Sequence, residues 1–211
     1  MNLFLVTLFL ASDGYINYQN TCMRHLVRAE KHNLIQALIK RSLCDHDMGF
    51  HNPCRWTGVT CGPSNIVTDI KWKKLKFMPI DVRWLPSFLE GVDFDGVVPS
   101  PNQLNIRHLP RHLFLCRMTN SGFIGSVDLR VLPEPLITLG LRGNAISGTV
   151  FLINLPPRLR SIDLVSNQIR RVVVSNDNLP KSFEVAKFQF NLRRLDIHCI
   201  DAKKPDPRIT Y

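Results

Sequence analysis

Apolar residues return along the second half of the chain at two nested periods. The short period is two residues. Leu139 and Leu141 alternate with Thr138, Gly140 and Arg142, as a half-buried strand requires. The long period is set by the dipeptide Leu-Pro, at Leu85-Pro86, Leu109-Pro110, Leu132-Pro133, Leu155-Pro156 and Leu179-Pro180, with spacings of 24, 23, 23 and 24 residues. Each Leu-Pro opens the same order of apolar and polar sites. The fullest copy keeps Leu132, Leu136, Leu139, Leu141, Asn144 and Ile146. The next keeps Leu155, Leu159, Ile162, Leu164, Asn167 and Ile169, and the preceding one Leu109, Leu113, Cys116, Met118, Ser121 and Phe123. The last keeps Leu179, Phe183, Ala186, Phe188 and Asn191. A second alternating run follows the polar turn, at Val127–Leu129, Val150–Leu152 and Val172–Val174, and predicts a flanking strand. One unit cannot bury its apolar face alone, so copies must stack. Upstream, Leu26-Val27, Leu34-Ile35 and Leu38-Ile39 fall at helical spacing within residues 23–43 and predict one or two amphipathic helices.

The recurring polar site has a mechanism of its own. By register it holds Val97, Ser121, Asn144, Asn167 and Asn191. A carboxamide carries donors and an acceptor, and backbone groups leaving a strand need replacement partners. A column of Asn144, Asn167 and Asn191 can supply them. The unit L-x-x-L-x-L-x-x-N-x-[LI] resembles the leucine-rich repeat, whose period range includes 23–24 residues. Its LPxxLxxLxLxxNxIxGxV form is most similar to repeats of plant receptor ectodomains and of kinetoplastid-type surface proteins.

Upstream of the repeats, Cys54-Arg-Trp56-Thr-Gly58-Val59-Thr-Cys61 is similar to the C-x-W-x-G-V-x-C box that caps plant-type leucine-rich repeats. That resemblance implies a Cys54–Cys61 disulfide. It also implies a helix before the box and, in some caps, a further bridge, for which Cys22 and Cys44 stand in comparable places. The expected fold is an α/β repeat: a right-handed leucine-rich-repeat solenoid with a parallel concave sheet and a helical, disulfide-bonded N-terminal cap. Residues 15–64 form the cap, 65–200 the repeats and 201–211 a polar tail. Residues 1–14 read either as a secretory signal or as a buried first element. A disulfide cap favours an oxidising compartment, hence a secreted or cell-surface protein. No later apolar run reaches the roughly 20 residues that span a bilayer, and no Asn-x-Ser/Thr acceptor occurs.

Charge changes this picture little. The chain has 211 residues and a formal net charge of +10, concentrated in the Lys71–Lys76 cluster and the Lys203-Lys204 tail. Elsewhere basic and acidic residues are interspersed, which argues against a dedicated nucleic-acid face. Lys71, Lys73, Lys74 and Lys76 leave a nonspecific polyanion contact as a third function class. Candidate chemistry is thin. Gly143–Thr149 matches a phosphate loop in its glycines but lacks the lysine, and its recurrence with the repeat reads it as a coil turn. Cys44, His46, His51 and Cys54 have short spacing, but no standard zinc pattern, and the cap box claims Cys54. His108 and His112 fall at repeat starts without a nucleophile elbow, and Asp45/Asp47 and Asp93/Asp95 read as solvated carboxylates. Neither catalysis nor a cofactor is expected.

The residues alternating with the buried leucines are the candidate site. They are Gly91, Asp93 and Asp95; Leu115, Arg117 and Thr119; Thr138, Gly140 and Arg142; Ser161, Asp163 and Val165; and Val185, Lys187 and Gln189. The expected function is recognition of a protein, peptide or glycan on this concave face, centred on Arg117, Arg142 and Asp163. An intracellular scaffold with reduced cysteines is the alternative. Self-association through an uncapped C-terminal repeat is a further possibility.

Overall fold

The computed structural model describes residues 3–27, 52–75, 79–191, 195–201 and 204–211. Helix α1 (Leu3–Leu26) comes first. Strands β1 (Val59–Cys61), β2 (Val67–Lys73), β3 (Pro79–Ile80), β4 (Gly91–Asp95), β5 (Val98–Pro99), β6 (Leu115–Thr119), β7 (Ile124–Gly125) and β8 (Thr138–Gly140) follow. β9 (Ala145–Leu152), β10 (Ser161–Asp163), β11 (Gln168–Val174), β12 (Val185–Lys187), β13 (Asp196–Cys199) and β14 (Ile209–Thr210) complete the chain. The even-numbered strands, with β1 at one edge, form an eight-stranded sheet in the order β1-β2-β4-β6-β8-β10-β12-β14. All its pairings are parallel except β1–β2. A second sheet has the order β13-β11-β9-β7, and β3 pairs with β5. The architecture is a parallel-strand β-solenoid.

The expected repeat positions form its core. Leu89, Leu113, Leu136 and Leu159 are fully buried, as are the strand pairs Leu139/Leu141 and Ile162/Leu164. Cys116 sits among them at 0 % exposure, and burial pushes its thiol up to about 12.

The turn after each strand is closed by the asparagines. Asn144 accepts from the backbone N–H groups of Ser121 and Phe123 (3.1 and 3.0 Å) and donates to the Met118 and Leu141 carbonyls (both 2.8 Å). Asn167 accepts from Ile146 N–H (3.1 Å) and donates to Leu141 and Leu164 (2.9 and 3.1 Å). Asn191 accepts from Ile169 N–H (3.0 Å) and donates to Leu164 and Phe188 (2.9 and 2.7 Å). The Leu141 and Leu164 carbonyls each bridge two rungs, so the ladder is continuous.

The far side of the coil carries little helix among the described residues. Where the repeat would carry helices, the described residues have three-residue 3-10 turns at Val82–Trp84, Ile106–His108 and Leu129–Val131. Leu-Pro explains their brevity. The residue before proline is biased away from helical backbone, and Leu85, Leu109 and Leu132 all take ψ between 131° and 150°. The flanking strands at Val150–Leu152 and Val172–Val174 are present inside β9 and β11. The first copy, Val127–Leu129, instead turns into a 3-10 segment because Asp128 accepts from Arg130 N–H at 3.1 Å.

Both ends extend the expected solenoid. Lys71 and Lys73 alternate with buried Ile70 and Trp72 in β2, so much of the basic cluster is a strand face. The polar tail contributes β14, whose Ile209 is buried, as a last coil on β12. At the front, α1 runs through the expected boundary at residue 14, and its Met23 and Leu26, with Val27 just past its end, are buried in the common core. No described helix is long and apolar enough to cross a membrane. Gln19, 1 % exposed, accepts from Val67 N–H (2.7 Å) and donates to Asn65 (3.0 Å), tying α1 to the entry of β2.

The cap box closes the sheet edge. Cys54 and Cys61 form a disulfide. Trp56 is 2 % exposed, and Trp72 Nε1 donates to the Thr57 carbonyl at 2.9 Å. Gly58 has φ +79°, and a side chain there would fall on the Lys71 carbonyl oxygen. This close approach lets β1 fold back antiparallel on β2 and cover its open edge. The second expected bridge is not formed at its described end: Cys22 is a free, buried thiol, and Cys44 lies outside the described residues.

Candidate functional site

Because neighbouring coils differ by 22 to 24 residues, side chains that alternate with the core line up across the eight-stranded sheet. Pairing gives the middle column as Lys71, Asp93, Arg117, Gly140, Asp163, Lys187 and Thr210. It contains every middle position read from the sequence and adds one at each end. Charges of opposite sign therefore face each other on β2/β4, β4/β6 and β10/β12. Yet among the described residues no ion pair within 4.0 Å joins them; the ion pairs lie elsewhere, as at Arg83–Asp81, Arg130–Asp128 and Arg171–Asp196. Arg117, Arg142 and Lys187 are exposed and Asp93 is half-buried. Asp163 uses one oxygen internally, accepting from Val165 N–H at 3.1 Å.

Gly140 interrupts the column for a steric reason. A Cβ there would come within 3.1 Å of Arg117 Cγ, so the stem of Arg117 lies across the bare backbone of β8. That leaves a shallow step in the sheet beside the Arg117 stem.

The next column gathers a tighter group. Asp95 accepts from Thr119 Oγ1 (3.1 Å) and Asn120 Nδ2 (2.9 Å). The Asn120 hydrogen bond, with help from Thr119, Lys73 and Lys74, holds its carboxyl below the usual carboxylate range. The structure thus joins Asp95 to Thr119. Arg142 stands beyond the end of β8, at Gln189's level, and its carbonyl accepts from Asn120 N–H at 2.9 Å. Val165 is buried rather than presented, a departure from the expected outward set. Gln189 is half-buried, its carbonyl accepting from Ser166 N–H at 2.9 Å.

An aromatic cluster gathers between α1 and the loop that leads into β4 and was not read from the sequence. Tyr18 and Tyr15 on α1 contact each other at 6.3 Å; Tyr15 meets Phe88 edge-on at 4.8 Å, and Phe88 stacks on His112 at 5.2 Å. Phe88 and Phe114 remain 44 % and 38 % exposed. Phe88 and His112 stand three residues before paired strand positions Gly91 and Leu115. That shared offset was the available signal, but an aromatic beside a histidine does not announce itself as a column.

The remaining candidates disperse. Gly143–Thr149 leads into β9 rather than into a helix, which removes the phosphate-loop geometry. Cys54 is bonded to Cys61, while Cys44, Asp45, His46, Asp47 and His51 lie outside the described residues.

No protein-family model and no curated protein sequence matches the chain.

Proposed function

We propose that this chain is a leucine-rich-repeat recognition module, non-enzymatic and secreted or displayed at the cell surface. It binds a protein, peptide or glycan on the concave face of the eight-stranded sheet. The 23–24-residue period, the asparagine ladder and the bridged cap box support the family reading. One observation carries the functional reading: Arg117, Arg142 and Lys187 are exposed on a rigid sheet without an ion-pair partner among the described residues. Side chains of this kind gain partners on binding, and arginine with aromatic rings is the composition of interface hot spots. The mixed signs of Asp93, Arg117 and Asp163 favour a partner carrying both charges over a polyanion.

The test is the double substitution Arg117→Ala/Arg142→Ala on a ligand captured from the native extracellular fluid. Affinity falls by about tenfold or more while the melting temperature is retained. Unchanged affinity removes the concave face as the binding surface.

The free thiols of Cys22, Cys116 and Cys199 favour the second reading, an intracellular scaffold in a reducing compartment. Non-reducing mass spectrometry of the protein from its native source separates the two: an intact Cys54–Cys61 bridge supports secretion, and two free thiols there support the scaffold.

A further inference from the structure

The three 3-10 turns are built on one plan with one exception. In each, the opening side chain accepts from the backbone N–H of an arginine two residues on: Asp81 from Arg83 (3.2 Å), Asn105 from Arg107 (3.0 Å) and Asp128 from Arg130 (3.1 Å). In the first and third turns the same carboxylate also takes that arginine's guanidinium. Asp81 receives Arg83 at 2.8 and 2.6 Å, and Asp128 receives Arg130 at 2.8 and 3.2 Å. In the middle turn the carboxamide of Asn105 caps the backbone equally well but carries no charge. Arg107 consequently has no ion pair among the described residues, while its counterparts one coil before and one coil after are neutralised.

This guanidinium, with no carboxylate in ion-pair contact among the described residues, borders a cavity. A cleft of about 410 Å³ opens among the three turns, and Arg107 lines it with Arg83, Gln103, His108, Ser126 and Asp128. Its floor is the buried apolar surface of Leu104 and Ile106. The volume lies in the range of small-molecule sites, and the lining has their composition: an apolar base with a few polar groups. The one acidic side chain in the lining, Asp128, is bonded to Arg130 and is held below the usual carboxylate range first by that hydrogen bond and only lastly by the more distant charge of Arg107; with Arg83 paired to Asp81, the charge left over in the cleft is positive.

We infer that this cleft binds a small oxyanion, a carboxylate or phosphate group carried on a polar small molecule, with Arg107 as the primary contact. The guanidinium presents paired N–H donors that match either group, and Gln103 and Ser126 supply neutral hydrogen bonds beside it. Asparagine at position 105 is what makes the site, because it keeps the turn while leaving the arginine available.

The experiment is a residue-resolved NMR titration of the full chain with inorganic phosphate, sodium glucuronate and, as neutral control, methyl glucoside. The expected result is saturable movement of the Gln103, Arg107 and Ser126 signals with at least one anion and none with the neutral sugar. Stronger binding of phosphate assigns a phosphate monoester, and stronger binding of glucuronate assigns a carboxylate. Asn105→Asp supplies the missing internal carboxylate without losing the cap, since Asp and Asn cap equally well. It is expected to weaken anion binding about tenfold or more, with signals elsewhere unmoved, and Arg107→Gln is expected to do the same. Absence of saturable shifts at these three residues with both anions overturns the inference. So does equal affinity in wild type and Asn105→Asp.

Discussion

Truncating the rungs of the asparagine ladder one at a time, as Asn144→Ala, Asn167→Ala and Asn191→Ala, separates a built frame from a decorative repeat. The costs differ because the rungs strand different groups. Asn144, 9 % exposed, is the acceptor for both Ser121 and Phe123 N–H. Each stranded buried amide costs about 1–3 kcal/mol, so Asn144→Ala is expected to lose about 4 kcal/mol. Asn167, 6 % exposed, accepts from Ile146 N–H alone. Its three carbonyl partners keep a donor each, Leu141 from Asn144, Leu164 from Asn191 and Val165 from Gly143 N–H. One stranded amide sets its loss at about 2 kcal/mol. Asn191 is only half-buried, so water replaces part of what it gives, and about 1 kcal/mol is expected. The Leu141 carbonyl adds a coupling. It loses its second carboxamide donor only when Asn144 and Asn167 are both gone, so the double variant is expected to lose more than the sum of the singles. Denaturant unfolding with the disulfide intact reads these values; for a chain of this size Asn144→Ala corresponds to a melting shift of about 10 °C. Equal losses at all three sites, or a loss below about 0.5 kcal/mol at Asn144, would refute the ladder argument.

Gly58→Ala is expected to cost more than about 2 kcal/mol, because the new methyl meets the Lys71 carbonyl at a positive φ; thermal unfolding measures it, and a neutral effect would contradict the close approach. Among the described thiols, a thiol reagent is expected to modify half-exposed Cys199 before Cys22 and Cys116, because the latter two are buried from the reagent; peptide mapping after a timed pulse checks the order. Asp95 has a lowered folded-state pKa, so its stabilising contribution is fully present above the ordinary carboxylate value near ~4 and is lost as pH falls through the lowered value. The stability gap between wild type and Asp95→Asn is therefore expected to close on acidification below pH ~4, and a gap unchanged down to pH ~2 contradicts the assignment.

The repeat was legible because core positions at a fixed period are unambiguous: Leu136, Leu139 and Leu141 cannot be exposed together. Register then carried the middle column of the sheet, from Asp93 to Lys187, without any side-chain information. Three features were harder to see for physical reasons. β2 was hidden because Lys71, Lys73 and Lys74 dominate a six-residue window in which only Ile70, Trp72 and Leu75 point inward. β14 was hidden because Pro205 and Pro207 break the apolar pattern, while its order comes from Arg208, which pairs with Asp206 at 2.7 Å and donates to the Phe183 carbonyl at 2.7 Å. The missing helices follow from Leu-Pro itself, whose restriction on the preceding residue is local and was present in the sequence. The cap bridge was anticipated only through resemblance to a known box; spacing alone left the cysteine connectivity open.

The central claim is that the sheet face carrying Arg117 and Arg142 meets the partner. A photo-crosslinking residue placed at position 142, and separately at position 171 on the second sheet, tests it in native extracellular fluid. The account predicts a discrete crosslinked product from position 142, lost on adding Arg117→Ala, and none from position 171. A product from position 171 with none from position 142 would contradict it.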